Sequence, residues 1–489
     1  MKNKIDKYFG ITKNKSTFLI EILAGCATFL ATAYILTVNP NNILLDGASD
    51  PRWASVFIAT ALGAAIGTLL MAFLAKMPLV QAPGMGINAL VGGIIGGSTG
   101  LAYSFGNTLL LIFVSGLIFL LLSYIRIGKD KIPLREKIFD GIPIVIRDSI
   151  PVGIGLFIAF IGFKNAGIIV DNKFTLVQLI DFSSPEVWGF GGLACSALVA
   201  LFGLIIITVL AHLKVKGAVI FGIFSATLLA IPLGVADLNI LLGKTSGVTW
   251  NVFSNFSTFF SLNPNAGGTF LALFTEGLSF PASSLFTSIM LVVSFVMVDM
   301  FDTMGTIVGC TANEGLTDEK GKPKNYGKII KADSLASCIG ALLGTTTVTT
   351  LVESGTGVAE GGRTGFTALS ASILFLASIF FLPLFAFIPI SAAASALIYV
   401  GALMMKNIKK VDFKNVKNAI PAFLTIILMP LTYSITDGIG VGLISYFIIN
   451  IIIYLLERIK GRKTNLNISA VTFITTILFL IYFFMPAVG

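Results

Sequence analysis

Two apolar stretches of this chain break in the same way. Residues 79–97 read LVQAPGMGINALVGGIIGG and residues 348–365 read VTTLVESGTGVAEGGRTG, each a cluster of glycine with proline or charge set between long apolar runs. In lipid every backbone N–H and C=O needs an internal partner, so a non-helical break is tolerated only where protein or a water-filled cavity satisfies it. Either stretch alone reads equally as a surface loop. As a pair at corresponding places of two halves, they point to a transporter whose discontinuous helices meet near the bilayer midplane.

The rest of the chain fits that constraint. It is 55% hydrophobic and only 12% charged, with a mean hydropathy of +0.93, which excludes a set of soluble domains. A membrane span needs about 20 apolar residues and a half-helix fewer. That rule places segments at 20–38, 53–75, 79–97, 101–125, 142–163, 188–210 and 217–233, and again at 283–309, 326–345, 348–365, 367–387, 390–405, 419–436 and 438–457. A further apolar run at 468–485 follows them. The net charge of +9 does not indicate nucleic acid, because the lysines and arginines sit in short clusters between apolar runs. Those clusters fall on alternate connections, whereas the opposite side receives only Arg52, Lys164, Lys173 and Lys244. The positive-inside rule then puts the N-terminus in the cytoplasm. The parity works only if both broken segments cross. Seven crossings per half, an odd number, give two halves of opposite orientation. Cys26, Cys195, Cys310 and Cys338 are scattered singly, without the spacing of a disulfide framework or a metal site. Residues 129–147 mix charge with Ile, Phe and Val and read as an amphipathic piece at the inner interface.

Charge within these segments marks the candidate site. In VDMFDTMGTIVG, residues 298–309, Asp299, Asp302 and Thr303 share one helix face. A carboxylate at membrane depth is expensive, so it reads first as functional. Glu353 begins the half-helix of the second break, and a carboxylate accepts two N–H donors. Glu353 and Asp299 on facing elements therefore suit a flat ligand with ring and exocyclic N–H groups. In the first break Pro83 removes a backbone donor, Gly84 and Gly86 allow close approach, and Asn88 offers both a donor and an acceptor. Glu360 and Arg363, three residues apart, read as a structural pair. Thr28, Thr32 and Tyr34 in the first span read as locally satisfied. His212, the only histidine, sits beside Lys214 at a helix end and reads as no proton relay.

The phrases GCATFLATAYILTVNP, QAPGMGINA, VDMFDTMGTIVG and VESGTGVAEGGRTG, in this order and spacing, resemble the hypoxanthine/guanine/adenine permease branch of the nucleobase-ascorbate transporter family. The resemblance covers nearly the whole chain through Glu457. It implies an all-α polytopic membrane protein of fourteen transmembrane segments in a 7+7 inverted repeat, with short extended strands in broken segments 3 and 10. The domains it implies are a cytoplasmic N-terminus at 1–17, core at 18–126 and 283–388, gate at 127–233 and 389–457, and an extracellular linker at 234–282. Residues 458–489 are left as a basic loop and an extra hydrophobic helix, which departs from the fourteen-segment scheme. The substrate-binding residues it implies are Asp299, Glu353, Asn88, Thr303, Gly84 and Gly355, with Asp299, Asp302 and Glu353 as proton-coupling candidates. The function expected is import of hypoxanthine and guanine by proton symport with alternating access. An adenine permease of the same family is the alternative. An anion transporter or channel of this architecture and a membrane-embedded aspartyl hydrolase are remote ones, so no enzyme is expected. Expected partners are a purine base, a proton and the lipid bilayer of a bacterial inner membrane, with a homodimer as the one protein partner considered. No nucleic acid, cofactor or metal is expected.

Overall fold

The computed structural model describes residues 2–44, 47–96, 103–127, 132–134, 141–215, 217–242, 248–263, 266–280, 285–311, 316–317, 323–460 and 468–484. After a short amphipathic helix, Lys2–Phe9, the first span is two helices, α1 (Phe18–Thr32) and α2 (Ile35–Ile43), separated at Ala33 and Tyr34. The sequence led us to expect one helix at 20–38. The break has a physical cause: Thr28 and Thr32 turn their hydroxyls back onto the carbonyls of Ala24 and Thr28, at 2.9 Å each, and Pro40 removes a helix donor further on. Next come α3 (Trp53–Leu70), strand β1 (Gln81–Pro83), the half-helix α4 (Met85–Ile95) and α5 (Phe105–Tyr124). A reciprocal Ser104–Asn107 capping box starts α5. The first half closes with α6 (Ile144–Asn165), α7 (Leu193–His212) and α8 (Ala218–Ala230). An antiparallel hairpin, Ile169–Asn172 with Leu176–Leu179, lies between α6 and α7.

The second half repeats the order. It comprises α9 (Leu285–Thr311), α10 (Tyr326–Leu343), strand β2 (Val348–Thr350), half-helix α11 (Ser354–Ala359), α12 (Gly365–Ser378), α13 (Ile390–Met404), α14 (Val416–Leu431) and α15 (Ile435–Ile459). The linker between the halves docks on the first. Arg52, at the start of α3, meets both oxygens of Glu276 at 3.0 and 3.1 Å, and Asn107 donates to the carbonyls of Gly277 and Ser279. Of the amphipathic piece expected at 129–147, residues 129–131 and 135–140 lie outside the described residues.

The two breaks meet. Strands β1 and β2 pair antiparallel, with Gln81 opposite Thr350, Ala82 opposite Thr349 and Pro83 opposite Val348. Gly84 N–H donates to the Thr347 carbonyl and Leu351 N–H to the Val80 carbonyl, which extends the ladder at both ends. This pairing satisfies the extended backbone that a bilayer would not. Because the strands run in opposite directions, α4 and α11 leave the sheet in opposite directions, with both helix starts beside it. Helices α1, α3, α5, α10 and α12 pack among themselves around the sheet. A second group forms from α6 with α13 and α14, α7 with α8 and α13, and α14 with α15. Small residues bring these helices close: a Cβ at Gly92 of α4 would collide with the Asn42 carbonyl of α2.

The apolar run after residue 467 is a helix, α16 (Ala470–Phe484), and it belongs to the second group. Ser469 and Thr472 at its start donate to the carbonyl of Gly141, just before α6. Phe479 and Phe483 near its end cover Gly440, in the second turn of α15. With Phe473 against Phe447 and Phe479 against Gly440, helix α16 runs antiparallel to α15 along its first half.

Candidate functional site

The candidate site is built from the paired strands outward. Asn88 stands one turn into α4 and is fully buried; its Oδ1 accepts from the hydroxyl of Thr346, just before β2. Among the described residues its Nδ2 has no hydrogen-bond partner. A buried amide with donors to spare is costly unless something else accepts from it. Gly84 caps the same half-helix. A Cβ there would lie 2.9 Å from Thr349 Cγ2 and 3.4 Å from Asp302 Oδ2, so the Asp302 carboxylate stands close against the bare backbone of the first break.

On α9, the three residues expected on one face point to different partners. Asp299 is buried and its Oδ2 accepts from Ser337 Oγ of α10 at 3.2 Å. Thr303 donates to Asp333 Oδ2 at 2.9 Å and sits 2.5 Å from the hydroxyl of Thr349. Asp302 is half-buried. Glu353 occupies the cap position of α11, with its Oε1 accepting from the Tyr34 hydroxyl at 2.6 Å. Gly355 leaves room: a Cβ added there would meet only Cys310 Sγ, at 3.8 Å.

Three residues of this region have partners the sequence did not suggest, and two of them, Asp333 and Glu21, were not singled out at all. Asp333 of α10 is fully buried and ties the breaks together. Its carboxylate accepts from Gln81 Nε2 of β1 (3.2 Å), from the N–H of Thr350 (3.2 Å) and hydroxyl of Thr349 (3.2 Å) in β2, and from Thr303 of α9. Five donor interactions counting the weaker Thr350 hydroxyl at 3.4 Å make it an anchor of strand geometry. Lys328 and Lys331 precede it in sequence, which gave it the look of a solvated helix end. Glu21 of α1 is the second: it is buried and accepts from the N–H and hydroxyl groups of both Thr364 and Thr367, and from Arg363 N–H. It thus binds the first span to the start of α12, where a carboxylate also meets the positive end of the helix dipole. The third is Tyr34, which the sequence suggested was locally satisfied and which instead reaches Glu353 across the fold. The Arg363 guanidinium donates to the carbonyls of Val358 and Gly362.

Asp302, Glu353 and Asn88 thus stand around the junction of the two breaks, Asp302 beside Gly84, Glu353 at the start of α11 and Asn88 one turn into α4. A family model described as "Permease family" matches residues 19–441. The adenine permease AdeP of Escherichia coli is 34% identical over 97% of this chain and 96% of its own length. The guanine/hypoxanthine permease PbuG of Bacillus subtilis is 35% identical over 90% of this chain and 92% of its own. Among solved structures, the transmembrane domain of a cyanobacterium bicarbonate transporter, BicA, superposes with a TM-score of 0.58 at 14% identity, over 87% of this chain and 97% of that one. That likeness fixes the fold as the 7+7 inverted repeat.

Proposed function

This chain belongs to the Permease family, the nucleobase-ascorbate transporters, and on that premise we propose that it imports 6-oxopurines, hypoxanthine and guanine, by proton symport. The observation that carries the reading is the meeting of the two broken segments, with Asn88 donors and the Glu353 carboxylate flanking one small sheet. The substrate-binding residues are Glu353, Asn88, Asp299, Thr303, Gly84 and Gly355. Guanine and hypoxanthine share an N1–H donor and a 6-oxo acceptor, the complement of a carboxylate beside an amide N–H. Adenine reverses both. Asp299, Asp302 and Glu353 are the groups able to hold the coupled proton, since a proton taken up by one lowers the charge that the site carries through the membrane. In this reading the helices gathered around the sheet are the core, 18–126 and 283–388, and the second group is the gate, 127–233 and 389–457. Rocking one against the other gives alternating access.

The test is competition for labelled hypoxanthine uptake in cells expressing the protein. Guanine is expected to displace it strongly, adenine weakly and uracil hardly at all. A mispaired buried polar group costs about 1–3 kcal/mol, roughly tenfold to a hundredfold in affinity, which is enough to rank the bases. Adenine competing as well as guanine would move the assignment to the adenine permease alternative. An anion substrate is disfavoured by the carboxylates at the site.

We infer from the positive clusters that the N-terminus faces the cytoplasm, in what we propose is a bacterial inner membrane. With fourteen crossings ending α15 on that side, the last apolar run either crosses, leaving the C-terminus outside, or returns as a re-entrant piece, and we propose the crossing. A cysteine added after Gly489 is expected to react with an impermeant maleimide in intact cells. Labelling only after lysis would return the C-terminus to the cytoplasm.

A further inference from the structure

Besides the bonds of Glu21 to Arg363 and Thr364, the first span reaches the second break through Tyr34. Tyr34 lies in the gap between α1 and α2, is 1% exposed, and donates its hydroxyl to Glu353 Oε1 at 2.6 Å. A hydroxyl this close to a carboxylate makes a charge-assisted hydrogen bond, among the stronger kinds available to a side chain. The bond's geometry fixes more than affinity. A glutamate side chain turns about three torsions, and its two oxygens are equivalent until something holds one of them. With Oε1 held by Tyr34, the carboxylate plane is set and Oε2 is the oxygen left to a ligand. Tyr34 stands at the junction of α1 and α2, where Ala33 and Tyr34 keep helical backbone angles and the bonds tighten to those from Leu36 N–H to the Ala33 carbonyl and from Thr37 N–H to the Tyr34 carbonyl.

We propose that Tyr34 is the positioning residue of this site: by holding Glu353 Oε1 it presents Oε2 as a pure acceptor, and so sets a preference for bases with a ring N–H over bases with a bare ring nitrogen. The proposal rests on the purine reading above. A carboxylate held in this way meets the N1–H of hypoxanthine and opposes the N1 lone pair of adenine. Released from Tyr34, Glu353 can turn, and in its protonated form it can donate to adenine instead. Loss of the hydroxyl therefore weakens hypoxanthine binding and narrows discrimination, whereas a merely structural tyrosine would weaken both bases alike.

The experiment is equilibrium binding of labelled hypoxanthine and adenine to the purified full-length protein in lipid nanodiscs, comparing the wild type with Tyr34→Phe. The expected result is a Kd for hypoxanthine raised about tenfold, a Kd for adenine changed less than threefold, and an unchanged melting midpoint without ligand. If Tyr34→Phe does not accumulate, 4-fluorophenylalanine at position 34 fills the same space without a donor and must give the same narrowing. A hypoxanthine-to-adenine ratio equal to that of the wild type, or an equal loss for both bases, overturns the role of Tyr34 and leaves the purine reading standing. A wild type that binds neither base overturns both.

Discussion

Glu353→Gln is expected to reduce hypoxanthine uptake to background while the protein reaches the membrane in normal amount. The carboxylate serves two donors in this account, the Tyr34 hydroxyl at 2.6 Å and a ring N–H of the base. An amide has one acceptor oxygen and one donor group where the carboxylate has two acceptors, so one of those donors faces an N–H instead. The lost pairing costs about 1–3 kcal/mol, and the lost charge assistance adds to it. Glutamine also cannot carry a proton through the cycle, so a residual affinity would not restore accumulation. Asp299→Asn is expected to act in the same direction. The check is initial uptake rate normalised to the amount of protein in the membrane. Wild-type uptake by Glu353→Gln would remove that residue from the site.

The largest effect on stability is expected at a residue that touches no ligand in this account. Asp333→Ala strips the acceptor from Gln81 Nε2, the Thr350 N–H and the hydroxyls of Thr303 and Thr349, all of them buried. A buried donor left without its acceptor costs about 1–3 kcal/mol, and several lose theirs at once here. Both broken segments lose their common anchor at once. Asp333→Asn keeps one acceptor and is expected to fall between the wild type and alanine. The measurement is the melting midpoint of the purified protein together with the yield of folded material. An alanine variant that melts with the wild type would mean that the strand pairing holds without Asp333.

How much of this was legible in the sequence follows from what each residue's neighbours reveal. The broken segments and their strands were, because glycine and proline inside apolar runs have few readings in a bilayer. Glu353, Asn88 and the aspartates of α9 were also legible, as polar residues inside otherwise apolar segments. Asp333 and Glu21 were not. Each lies a few residues from a lysine cluster, so local composition assigns it to the interface. The partners that explain it come from segments far along the chain, Gln81 and Thr350 for one and Thr364 and Thr367 for the other. Tyr34 failed for a related reason: nothing in its own helix announces that the span breaks there, since Thr28 and Thr32 act through hydroxyl bonds to the backbone that a pattern of apolar residues does not register. The C-terminal helix was visible as an apolar run, but its direction needed the contacts of Ser469 with Gly141 and of Phe479 with Gly440.

The central claim is coupling of a purine base to a proton at one carboxylate-lined site, and it is tested most directly in proteoliposomes of the purified protein. A proton gradient is imposed, acidic outside, and labelled hypoxanthine is followed inside, with and without a protonophore and with sodium or potassium as the only cation. The account predicts accumulation above the external concentration that collapses with the protonophore and is the same in both salts. Accumulation that survives the protonophore and follows sodium, or no accumulation of hypoxanthine under any gradient, would contradict it.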